Sequence, residues 1–138
     1  MANDSTLISS ADFERLLDVL EHEQEGARFG SSFVELLDQK LAQARVVDPR
    51  EVPSNVVTMN SRVRYERVDG SGSKEVSIVY PSEASPTVGR ISVLSPIGVS
   101  LLGCREGDEP ELGVRSSAAR VRIAATTYQP EASGHWHL

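Results

Sequence analysis

Glu21, Glu23 and Glu25 lie in the most acidic stretch of the chain, between Asp12 and Glu25, and carboxylate oxygens are the ligands that hard cations such as magnesium select. Glu21 and Glu25 are four residues apart, so on a helix they share a face, with Glu23 close by. The same pattern describes a solvated acidic helix face, and the residues that follow, Gly26-Ala27-Arg28-Phe29-Gly30, add no further oxygens to converge on an ion. Other chemistry is thinner. Cys104 is the single cysteine, so it forms no internal disulfide, and it follows an apolar turn in the manner of a core thiol. His135-Trp136-His137 lacks the ligand spacing of a zinc site and sits at a chain end. There is no glycine-rich phosphate loop. Arg62, Arg64, Arg120 and Arg122 alternate along two strand-like runs, a basic strip for solubility or for contact with an acidic partner. These residues nominate no catalytic group, no metal and no cofactor, and they leave binding as the function class.

The elements that position these residues divide into two parts. Over residues 9–25, Phe13, Leu16, Leu17 and Leu20 recur at helical spacing, with Ser9 as cap and Ile8 and Phe13 as a hydrophobic staple. After the break at Gly26 to Gly30, Ser32 and Glu35 have capping-box spacing and lead into Phe33, Leu36, Leu37, Leu41 and Ala44. Two amphipathic helices joined by a short loop predict an antiparallel hairpin, a short coiled coil over residues 1–47. A first helix from Ser10 to Glu25 would be about 24 Å long at ~1.5 Å per residue. Pro49 and Pro53 then end the second helix and make a stiff connector.

Residues 48–138 change to strand spacing. Val63 and Tyr65 alternate with Arg62, Arg64 and Glu66. Asp69 to Gly72 supply a turn, and Val76, Ile78 and Tyr80 share the face of a returning strand. Arg90 to Leu94 alternates again, Ser95 caps a short helix with Pro96 at its first position, and Gly103 ends it. The last strand spans Ala119 to Tyr128. Four strands with one buried face each, and one small helix, predict an α+β chain with an antiparallel sheet curved over that helix.

The strand, Ser-Pro pair and glycine-ended helix of residues 90–108 resemble the signature of the C-terminal domain of bacterial Gre transcript-cleavage factors. The runs Val56-Val57-Thr58-Met59-Asn60-Ser61-Arg62-Val63, Leu94-Ser95-Pro96-Ile97-Gly98, Leu101-Leu102-Gly103 and Tyr128-Gln129-Pro130-Glu131-Ala132 resemble the Rnk proteins, named as regulators of nucleoside diphosphate kinase. The resemblance implies an FKBP-like version of the sheet domain. It also implies a partner, RNA polymerase, gripped at a coiled coil of its largest subunit on the rim of the secondary channel. Carried over by position, the gripping residues are Leu94, Ser95, Pro96 and Ile97, expected to form an exposed corner. Gre factors hold a catalytic magnesium ion with an adjacent acidic pair at the tip of a longer hairpin, and that pair is absent here. The expected function is a transcription elongation regulator that competes with Gre factors and does not itself cleave RNA. The alternative is cleavage stimulation through Glu21, Glu23 or Glu25. An FKBP-like shape raises prolyl isomerisation too, but such enzymes line their pocket with several aromatics, and Phe13, Phe29 and Phe33 all lie in the hairpin.

Composition agrees with a small regulatory protein. The chain has 138 residues, 39% of them hydrophobic, and a net charge of −6. Residues 1–50 hold ten acids against five basic residues, and the remainder ten against nine, so the hairpin carries the acidity. Such a surface is a poor partner for free DNA, whose phosphates require basic contacts. With no long apolar run, no membrane span or signal peptide is expected, and a cytoplasmic location follows.

Overall fold

A computed structural model of the chain describes residues 6–26, 31–70, 72–110 and 120–135, with the backbone alone for residues 23–26, 31–33 and 96. Helix α1 (Ser10–Gly26) begins where its cap dictates, with the Asp12 N–H donating to Ser9 Oγ at 3.1 Å. Its buried line is Asp12, Leu16 and Leu20, every fourth residue, and Leu17 is left 42% exposed. The sequence pattern placed Leu17 in the stripe. The Asp12 carboxylate overrides that pattern by accepting the Met59 N–H at 3.1 Å, which turns the 12–16–20 line inward.

Helix α2 (Ser31–Gln43) packs on α1 and buries Val34, Leu37 and Leu41. Two short strands close the base of the pair. Strands β1 (Leu7–Ser9) and β2 (Arg45–Val47) run parallel, Leu7 opposite Arg45 and Ser9 opposite Val47. Neither was foreseen, because three-residue strands are too short to show a period. A single 3-10 turn at Pro49–Glu51 follows, capped by Asp48.

The main sheet has four strands in the order β5-β4-β3-β6, where β3 is Arg62–Arg67, β4 is Ser73–Val79, β5 is Arg90–Ser92 and β6 is Val121–Tyr128. The expectation of an antiparallel sheet requires correction. Strand β3 pairs antiparallel with β4 and β6, but β5 lies parallel to β4. A parallel neighbour needs a crossover rather than a tight turn. Residues 80–89 supply it through 3-10 turns at Pro81–Glu83 and Pro86–Val88, the second ended by Gly89 at φ 80°.

One apolar cluster joins the helices to the sheet. It combines Leu16, Leu20, Leu37 and Leu41 with Met59, Val63, Ile78, Val121 and Ile123, and with Leu101 and Leu102 of the short helix α3 (Pro96–Leu101) and its end. Burying each such side chain fully is worth about 1.5–3 kcal/mol. The helix pair is therefore seated on the sheet's inner face by shared core. No helix among the described residues is long and apolar enough to cross a membrane.

Candidate protein-interaction site

The turn at Ser92–Ser95 is held by one hydrogen bond to β4 and by local ones. Val93 N–H reaches back to the Val79 carbonyl at 2.9 Å, Leu94 N–H donates to Ser92 Oγ at 3.0 Å, and Ser95 N–H closes the turn on the Ser92 carbonyl at 3.0 Å. The Ser95 hydroxyl then works in both directions. It donates to the Ser92 carbonyl at 2.7 Å and accepts the Gly98 N–H at 3.0 Å, which caps α3 as its position in the sequence predicts.

This geometry corrects the exposed corner. Strand alternation would put Val93 inside and Leu94 outside, but the turn starts at Ser92 and breaks the alternation, so both are buried, Leu94 at 7% exposure. Leu94 belongs to the core. Ser95 and Ile97 are half-exposed, and the Pro96 side chain lies outside the described residues.

Gly98 explains how close the turn sits to the sheet. A Cβ there would stand 2.2 Å from the Ser92 carbonyl oxygen and 2.8 Å from Val93 Cα, both backbone atoms. Only glycine lets α3 lie against the end of β5. The far end of α3 is held from the helix pair. Lys40 of α2 donates to the Ser100 carbonyl at 3.1 Å and to the Val99 carbonyl at 2.5 Å, two of the carbonyls that a helix C-terminus leaves unpaired. Burial lowers the Lys40 pKa, partly offset by the nearby Cys104 and Asp108. Sequence reasoning missed Lys40, yet a signal existed, since it falls on the same helical stripe as Leu37, Leu41 and Ala44.

Two of the matched runs meet in space. Thr58 Oγ1 is hydrogen-bonded to Ser61 Oγ at 2.8 Å and donates to Glu131 Oε1 at 2.8 Å. Gln129 Nε2 donates to the Pro53 and Val56 carbonyls, both at 2.8 Å. Asn60 takes the left-handed φ of 65° that this turn requires. Asp12 lies beside the same network. Burial, and secondarily the charge of Glu131, raises its pKa to about 7. The neighbouring Tyr80 hydroxyl lies near Asp12 and Arg15, and burial followed by the Asp12 charge raises the tyrosine's pKa.

The remaining sequence candidates are scattered. Glu21 is exposed near the end of α1, and the side chains of Glu23 and Glu25 lie outside the described residues. Cys104 is half-buried, its thiol donating to the Ser100 carbonyl at 3.4 Å, and burial raises its pKa. His135 Nδ1 is bonded to the Tyr128 hydroxyl at 2.5 Å, whereas Trp136 and His137 lie outside the described residues. Arg62, Arg64, Arg120 and Arg122 are all exposed, and Arg122 pairs with Glu66 at 3.0 Å.

Residues 52–128 match the family model of the transcription elongation factor GreA/GreB C-terminal domain. The chain is 32% identical to the regulator of nucleoside diphosphate kinase of Escherichia coli strain K12, over 100% of both chains. It is also 32% identical to transcription elongation factor GreA of Thermodesulfovibrio yellowstonii, over 78% of this chain and 70% of that one. Among solved structures, the prokaryotic transcription elongation factor GreA/GreB from Nitrosomonas europaea matches with a TM-score of 0.72 and 40% identity, covering 89% of this chain and 99% of that chain. The matches span the sheet and the capped turn, and the chain belongs to the GreA/GreB family of transcription elongation factors.

Proposed function

We propose that this chain binds RNA polymerase at the rim of the secondary channel, on the coiled coil of the largest subunit, and competes there with Gre factors without cleaving RNA. The observation that carries the reading is the turn at Ser95–Ile97. It is held by the Ser95 cap at one end, by Lys40 at the other and by the Gly98 contact beneath, so it meets a partner with little ordering cost. With Leu94 withdrawn into the core, the contact rests on Ser95, Pro96 and Ile97. Helix α1 has 17 residues and is about 26 Å long at ~1.5 Å per residue. A helix of that length and a tip without an adjacent acidic pair support docking without delivery of a second magnesium ion to the active centre.

The test is co-purification with RNA polymerase, comparing wild type with Pro96→Arg. The variant should keep its thermal transition and lose the polymerase. Wild-type retention by the folded variant would move the docking site elsewhere. A backtracked elongation complex given the pure protein should remain uncleaved, and added Gre factor should be inhibited as the protein's occupancy rises.

A further inference from the structure

Four residues form one row across the entire main sheet. Tyr128 of β6 is opposite Arg62 of β3, Arg62 is opposite Ser77 of β4, and Ser77 is opposite Arg90 of β5. Strands are about 4.8 Å apart, so the row spans ~14 Å, with Arg62 and Arg90 about 10 Å apart at Cα and the Ser77 hydroxyl between them. The row faces away from the core, because Val63, Val76 and Ile78, which flank it along β3 and β4, are buried on the other side. All four residues line a groove of about 1050 Å³, to which Arg15 of α1 and Tyr80 also contribute.

The charges of this groove are only partly used within the protein. Arg62 and Arg90 take part in no ion pair among the described residues, the carboxylates of Glu75 and Glu83 also line the groove, and the Arg122–Glu66 pair lies outside it. Glu75, two residues before Ser77 on the same strand, accepts the Thr127 hydroxyl at 2.8 Å. Tyr128 is steadied at its hydroxyl by His135, and the two rings lie 5.8 Å apart at 36°. At one end the groove therefore offers two guanidinium forks flanking a hydroxyl, the donor set that planar Arg presents to phosphate oxygens. At the other it offers a held aromatic ring.

We infer that the groove binds a nucleoside di- or triphosphate. The phosphates bridge Arg62 and Arg90 over Ser77, and the base lies against Tyr128. Glu75 favours a nucleotide over a bare polyphosphate, because a carboxylate repels phosphate but accepts hydrogen bonds from a ribose hydroxyl or a base N–H. The row is also long enough for a nucleotide and too long for one phosphate ion. This inference does not depend on the polymerase reading.

The experiment is isothermal titration of the full chain with ADP and GDP, with adenosine and inorganic tripolyphosphate as comparators. Arg62→Ala and Arg90→Ala should each weaken ADP binding about tenfold or more, the size of effect that one charge-assisted contact supplies. Arg122→Ala should leave it unchanged. Tyr128→Leu should weaken ADP but not tripolyphosphate, which separates base stacking from phosphate contact. Thermal transitions of the variants, compared with wild type, identify any that have simply unfolded, and the exposed Arg62 and Arg90 sites remain decisive in that case. Absence of saturable ADP or GDP binding at millimolar concentration would overturn the inference. So would equal losses in Arg122→Ala, tripolyphosphate binding as tightly as ADP, or a phosphoserine peptide binding more tightly than either nucleotide, which would assign the groove to a protein partner.

Discussion

Replacing Gly98 by alanine tests the seat of the Ser-Pro turn in one atom. In a helix the change is ordinarily favourable, worth about 0.5–1 kcal/mol from reduced backbone freedom in the unfolded chain. Here the new Cβ would stand 2.2 Å from the Ser92 carbonyl oxygen and 2.8 Å from Val93 Cα. Neither atom belongs to a side chain that can rotate away, so α3 must shift by about 1 Å to restore an ordinary van der Waals separation. Overpacking of this kind costs about 1–3 kcal/mol, and two backbone clashes place it at the upper end. The net expectation is a loss of about 2 kcal/mol, or roughly 8 °C in the thermal transition for a chain of this size. Urea unfolding at neutral pH reads the number directly. The same shift moves Ser95 off its Gly98 N–H, so polymerase retention should fall beyond what the remaining folded fraction accounts for. A variant as stable as wild type, or more stable by the helix-propensity increment, would falsify the close seating of α3 on β5.

Asp12 gives a pH prediction. Its folded pKa of about 7 lies above its unfolded value of about 3.9, so the native state holds a proton that the unfolded chain releases. The associated stability is fully present below about pH 4 and is lost as pH rises through 7. Asp12→Asn should flatten the pH dependence between these limits and raise stability at pH 8 by up to about 2–4 kcal/mol, measured by urea unfolding at pH 5.5 and 8. Lys40→Met should cost about 1–3 kcal/mol by removing the ammonium donor to the Val99 and Ser100 carbonyls, with polymerase retention reduced beyond the unfolded fraction, whereas equal losses in both would make Lys40 structural only. Glu21, Glu23 and Glu25 changed together to glutamine should leave inhibition of Gre factor unchanged. Cleavage by the pure protein that disappears in this variant would instead make the hairpin tip its working end.

What the sequence determined by itself is the set of features encoded within a few neighbouring residues. The Ser9 and Ser95 caps, the Gly103 stop at φ 81°, the inward Val63 and Tyr65, and the inward Val76 and Ile78 all depend on local hydrogen bonds or a single period. The motif runs were likewise legible, since they are local strings. Tertiary structure decided what depends on partners far along the chain. Leu17 is outside because Asp12 found the Met59 N–H, 47 residues away. The parallel placement of β5 follows from how the 80–89 crossover lands, a matter of packing that no alternation pattern encodes. Leu94 is buried because a turn bonded to Ser92 overrides strand alternation, and Lys40 is drawn inward because it meets the carbonyls of a helix 59 residues away. The row from Tyr128 to Arg90 belongs to the same class. Its residues come from four strands, and strand pairing, with an irregularity between β3 and β6 that skips Thr127 and sets Tyr128 opposite Arg62, brings them into line.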